Sequence, residues 1–178
     1  AEHKGCSLAE AKKFFKDLYK DGKGLSGRKT LLELKVPNAE QLVQEALEKA
    51  EIDKFLAPNK ENIEILNRLK KAYKNIDLIT GSDTGEVNKK LKKLGMENIF
   101  SNIISDNVAS KSDGGAYKLW LSFYPKNEPG EFLYVGDRES LDHFIPMSLG
   151  IKTILVNVRE PNINLKIPQF KKLNEIAT

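Results

Sequence analysis

The spacing of apolar residues changes character near residue 76. Before that point apolar positions recur every three or four residues, the period of a helix with one buried face. Ser7 and Glu10 form a capping-box pattern ahead of Leu8, Ala11, Phe14, Phe15 and Leu18, which predicts a first helix over 7–21. Gly22, Gly24 and Gly27 break it. Leu31, Leu32 and Leu34 mark a short second helix that Pro37 stops, and Asn38 opens a third with Leu42, Val43, Ala46, Leu47 and Ala50. Residues 56–59 (Leu-Ala-Pro-Asn) read as a linker, followed over 59–73 by an amphipathic helix that turns Ile63, Leu66 and Leu69 inward. Beyond it come short apolar runs predicting strands near 76–80, 102–105, 131–135 and 152–157, each separated from the next by a helical pattern.

Strands that alternate with helices imply a parallel sheet built from right-handed crossovers. The last two strands are rich in Val, Ile, Leu, Phe and Tyr with little alternation, as expected where helices cover both faces. The expected organisation is therefore a helical region over 1–57 and an α/β core over 58–178. In such a core, ligands bind at the carboxyl ends of the strands. Three polar groups fall there: Thr80-Gly81-Ser82 after the first strand, Lys111 after the second, and 136–142 (Gly-Asp-Arg-Glu-Ser-Leu-Asp) after the third. The first group also precedes a helix start, whose unpaired backbone N–H groups favour an anion. A hydroxyl with free amides, a lysine and the paired carboxylates of 136–142 suit phosphoryl transfer with a hard Mg²⁺ ion.

Charge and composition narrow this further. The 178 residues carry 29 Lys and Arg against 25 Asp and Glu, a formal +4. The lysines lie on helical patterns without interleaved aromatics, which describes solvated helix faces and argues against a nucleic-acid partner. One cysteine, Cys6, leaves no internal disulfide and no thiolate metal site, so the cytoplasm is the expected compartment. No apolar run approaches the roughly 18 residues of a spanning helix, so no membrane partner is expected. His143 is expected to pack at a helix surface, and Tyr117, Leu119, Trp120 and Phe123 to form core.

These motifs resemble those of the haloacid dehalogenase-like superfamily of phosphatases and related hydrolases. Residues 78–82 (Leu-Ile-Thr-Gly-Ser) are similar to its second motif, Lys111 to its third and 134–142 (Tyr-Val-Gly-Asp-Arg-Glu-Ser-Leu-Asp) to its fourth. The segments 93–100 and 149–157 are similar to the connections between those motifs. Residues 14–27 resemble the small helical cap of the pyrimidine 5′-nucleotidase branch. The resemblance implies a Rossmannoid parallel sheet with a helical cap and a small phosphorylated substrate. It gives Thr80 and the Gly81 amide phosphoryl contacts, with Ser82 beside them, and has Lys111 neutralise charge. Asp137 becomes a Mg²⁺ ligand, and Asp142 a second ligand or the residue that orients a bound water.

Two departures accompany the resemblance. Ser112 stands where the family usually has proline. More consequentially, the family's first motif, a strand ending Asp-x-Asp that carries nucleophile and acid/base, has no counterpart: no Asp-x-Asp occurs anywhere in the sequence. Asp17 and Asp21 lie four apart on a predicted helix with no apolar strand before them. In the family that strand is central to the sheet. Three expectations follow: the sequence is a piece of a longer enzyme, a second chain supplies the strand, or the sheet has closed without it in a non-catalytic binding or scaffold protein with a vestigial phosphate pocket.

Overall fold

The computed structural model describes residues 1–19, 27–49, 54–158 and 160–176. The predicted helix breaks Gly22 and Gly24, together with Asp21 and Ala50, lie outside them. The chain divides into two compact units, Ala1–Phe55 and Leu56–Thr178.

The first unit holds three helices, α1 (Leu8–Leu18), α2 (Gly27–Glu33) and α3 (Ala39–Lys49). Its capping box forms as the sequence predicts. The Glu10 N–H donates to Ser7 Oγ, and the Ser7 N–H donates to the Glu10 carboxylate at 2.9 Å. Each bond satisfies a donor that a helix start leaves free.

In the second unit, α4 (Lys60–Ala72) starts at Asn59, whose Oδ1 accepts from the Asn62 N–H. Its deepest residue is Ile65, while the expected Ile63, Leu66 and Leu69 are half-buried. Strand β1 (Leu78–Ile79) leads into α5 (Thr84–Leu94), followed by β2 (Ile103–Ile104) and α6 (Gly115–Ser122). Strand β3 (Leu133–Gly136), a π-helical turn over Glu139–Phe144, α7 (Ile145–Ser148) and β4 (Lys152–Leu155) complete the core elements. Both strand pairings are parallel, β1 with β2 and β3 with β4.

The sheet, however, comes in two halves. Among the described residues β1–β2 and β3–β4 form separate two-stranded sheets, where the sequence predicted one. Hydrogen bonding along each inner strand gives the reason. The N–H groups of Leu78 and Thr80 donate to Asn102 O and Ile104 O, so β1 meets β2 through its even-numbered residues. In a parallel ladder the intervening peptide groups, those of Asp77 and Ile79, point to the opposite edge. On β3, Phe132 O and Gly136 O accept from Lys152 and Val156, which likewise turns the peptides of Leu133 and Val135 outward. These two free edges border one cavity of about 450 Å³, lined by 76–79 on one side and 132–135 on the other. Leu66, Leu69, Tyr73 and Ile176 add apolar walls.

Helix α6 spans the two halves. Asp77 Oδ2 accepts from Trp120 Nε1 at 2.8 Å and from the Tyr124 hydroxyl at 2.7 Å, while its Oδ1 accepts from the Asn102 side chain and backbone. Burial, with the Asp77 carboxylate as the next cause, pushes Tyr124 up to about 12. Trp120 and Tyr117 also pack edge-on against Phe132 and Tyr134 of the other half. Tyr117 and Trp120 are core as expected. Phe123, just past the end of α6, is 41% exposed and is not. His143 departs from expectation the other way, being buried.

Candidate active site

At the carboxyl end of β1 the chain turns through Thr80-Gly81-Ser82. The Ser82 N–H donates to Thr80 Oγ1 at 3.2 Å, a hydroxyl turn that curls the loop before α5. Asp83, not Ser82, caps that helix, accepting from the Glu86 N–H. The Gly81 N–H has no partner among the described residues, and a Cβ built on Gly81 would meet nothing within 4 Å. The loop is thus open at its centre. Lys90, paired with Glu86, also donates to Ser82 Oγ at 3.2 Å.

The carboxyl end of β3 is built differently. Lys111 Nζ donates to Asp142 Oδ1 at 2.8 Å, with the carboxylate 1% exposed. The Tyr134 hydroxyl donates to the same oxygen, the Tyr117 hydroxyl lies 3.4 Å from it, and the N–H groups of Asp137 and Arg138 donate to Oδ2. Lys111 also lies 5.3 Å from the centre of the Tyr134 ring. Burial alone would raise the Asp142 carboxyl, but Lys111 and the backbone donors outweigh it and hold it below the ordinary carboxylate range. Burial and then the Asp142 charge push both tyrosines up, so they remain neutral donors.

Gly136 makes this packing possible. A Cβ at that position would fall 2.3 Å from Asp142 Cβ, well inside contact distance. Polar ties hold the loop that carries Lys111. Ser110 and Ser112 share a 3.0 Å hydroxyl contact, and the Gly115 N–H donates to Asp113.

The structure therefore gathers Lys111, Asp142 and the backbone of Asp137 into one cluster, while Thr80, Gly81 and Ser82 form a separate loop after β1. Both oxygens of Asp142 are engaged by protein donors. The Asp137 side chain is exposed at the end of β3. Among the described residues no group of three or more His, Cys, Asp or Glu is placed to hold a metal ion. Mg²⁺ binds through one or two carboxylates, keeping several waters. Asp137 fits as one such donor, and the described residues do not complete the set. Sequence reasoning missed Tyr117 and Tyr134 as site residues. The available signal was a pair of hydroxyls in an otherwise apolar core, which need buried partners.

Comparison with known proteins bears on the fold. No curated protein sequence matches the chain. A hydrolase of the haloacid dehalogenase-like family from Streptococcus pneumoniae superposes with a TM-score of 0.68 at 17% identity, covering 86% of this chain and 75% of its own. A Bacillus subtilis protein described as a HAD-hydrolase, solved bound to magnesium, gives 0.65 at 17% identity over 98% of this chain and 85% of its own. A HAD phosphatase from Thermococcus onnurineus gives 0.58 at 23% identity, and the chain spans 55% of its length while 66% of the chain is covered. These likenesses establish the fold. No helix among the described residues is long and apolar enough to cross a membrane. The sequence model described as haloacid dehalogenase-like hydrolase matches residues 7–156, and the chain belongs to that family.

Proposed function

We propose that the chain contributes the cap and most of the core of a Mg²⁺-dependent phosphohydrolase for small phosphate monoesters, nucleotides among them. In this reading a further parallel strand, ending in the Asp-x-Asp pair, seats between β1 and β3. The observation that carries the proposal is the apolar cavity bordered by the outward edges of both inner strands. Buried peptide groups without partners are costly, and one inserted strand would satisfy both edges together. Its carboxyl end would emerge between Thr80, just past β1, and Asp137, just past β3.

There the side chains divide the work. The Thr80 hydroxyl and the Gly81 N–H hold phosphoryl oxygens. Lys111, oriented by Asp142, neutralises charge on the nucleophile and the phosphoryl group. Asp137 and the strand's carboxylates hold Mg²⁺, which when bound offsets the charge on the transferring group. The first unit serves as the cap, and the strand comes from a longer product or from a second chain.

The saturated Asp142 and the absence of any Asp-x-Asp favour a second reading, a phosphate-binding protein without turnover. A phosphate-release assay with Mg²⁺ separates the two. The 178-residue chain alone is expected to release no appreciable phosphate from nucleoside monophosphates or an aryl phosphate. The chain joined to an Asp-x-Asp strand is expected to release it. Absence of turnover in both, with phosphate still bound near Thr80 and Lys111, favours the second reading.

A further inference from the structure

The turn after β3 is a π-helical turn, and three consecutive residues in it, Leu141, Asp142 and His143, are all buried. An α-helix advances about 100° per residue, so three in a row would spread over more than half its circumference. The wider π-turn lets them share a wall, a widening found often at functional sites. Each is tied to a different element. Leu141 O accepts from the Tyr117 hydroxyl on α6 at 2.7 Å, Asp142 meets Lys111, and His143 Nδ1 lies 2.7 Å from Thr153 Oγ1 on β4. Thr153 in turn stands opposite Tyr134, a donor to Asp142, in the β3–β4 register.

Among the described residues no hydrogen bond joins His143 to residues 80–82, and no metal-holding cluster includes it. Its place next to Asp142 gives it a different task. A π-turn is a rare backbone choice, and here the side chains of 141–143 oppose its relaxation to the α form. Relaxation would rotate Asp142 relative to His143, and both cannot then keep their partners.

We infer that His143 is a positioning residue for the Lys111–Asp142 pair. Its hydrogen bond to Thr153 locks the turn in the one rotation at which Asp142 reaches Lys111 and the N–H groups of Asp137 and Arg138. The importance of that pair for turnover rests on the proposed phosphohydrolase function, whereas the lock itself rests on this geometry alone.

The test labels the intact chain with trace acetic anhydride and quantifies modification at Lys111 and at Lys90 by peptide mass spectrometry. Lys111 is shielded by its pairing, with 12% of its side chain exposed. Lys90, paired with Glu86 on α5, serves as the internal control. Thr153→Val keeps the shape and removes the hydroxyl. It is expected to raise Lys111 labelling about fivefold, the equivalent of one ordinary hydrogen bond, with Lys90 unchanged. Thr153→Ser and His143→Asn, which keep a polar partner at the contact, are expected to stay near the unmodified chain. His143→Leu should behave like Thr153→Val. Unchanged Lys111 labelling in either Thr153→Val or His143→Leu overturns the inference, as does a rise that Lys90 shares, which would mean general loosening. Labelling requires no substrate or metal, so failure of the phosphohydrolase reading leaves this outcome legible.

Discussion

The carboxyl ends of β1 and β3 carry the two halves of one candidate site, and they are built in opposite ways. Beyond β3 the polar groups are closed on each other: Asp142 takes four donors with the Tyr117 hydroxyl beside them, and Gly136 lies so near that no side chain fits. Beyond β1 the loop is open, with a free Gly81 N–H and empty space above it. A closed cluster fixes a cation in place before any ligand arrives, which is what electrostatic preorganisation demands. An open loop leaves its donors for the ligand. On the proposed function, this difference makes the β3 half the anchor and the β1 half the receptor.

Four substitutions test that contrast, all read by urea denaturation through the emission of Trp120, the single tryptophan, which lies in the second unit. Asp142→Ala leaves the Lys111 ammonium in the interior without its counter-charge and is expected to cost about 3–5 kcal/mol. A loss below 1 kcal/mol would mean that the cluster is not an anchor. Gly136→Ala forces a methyl into the Asp142 side chain, with an expected cost of about 1–3 kcal/mol. Gly81→Ala, the matched change in the open loop, is expected to stay within about 0.5 kcal/mol. Equal costs at Gly81 and Gly136 would erase the distinction.

The fourth comparison is in acid. The folded Asp142 carboxyl lies below its unfolded value of about 3.9. Its contribution is therefore present above that value and is lost as pH falls through the lower folded value. The stability gap between the unmodified chain and Asp142→Asn should be full at pH 6 and shrink steadily below about pH 4. A gap that stays constant through the acid range would show that the charge on Asp142 contributes nothing.

Much of this arrangement is legible in the sequence. Helical spacing and the Ser7/Glu10 pattern mark α1, and the short apolar runs mark all four strands and their parallel direction. Those runs overestimate strand length, because β1 has only one partner and keeps two residues in regular pairing. The division of the sheet is a property of pairing between distant segments, which local pattern does not carry. Lys111, Asp137 and Asp142 stand out by their places after strands. The roles of Tyr117 and Tyr134 do not, since both look like core until the π-turn brings Asp142 against them. His143, expected at a helix surface, is buried against Thr153 instead.

The claim that the cavity between β1 and β3 receives a catalytic strand is tested most directly by Mg²⁺-dependent phosphate release from two proteins side by side. One is the 178-residue chain. The other is the same chain joined to an apolar strand ending Asp-x-Asp, with seating of the strand followed by the change in Trp120 emission, since Trp120 lines the cavity. The account predicts no appreciable release by the first and sustained release by the second, reduced about 10²- to 10³-fold by Lys111→Ala. Robust release by the first chain, or none by the second once the Trp120 signal has moved, would contradict it.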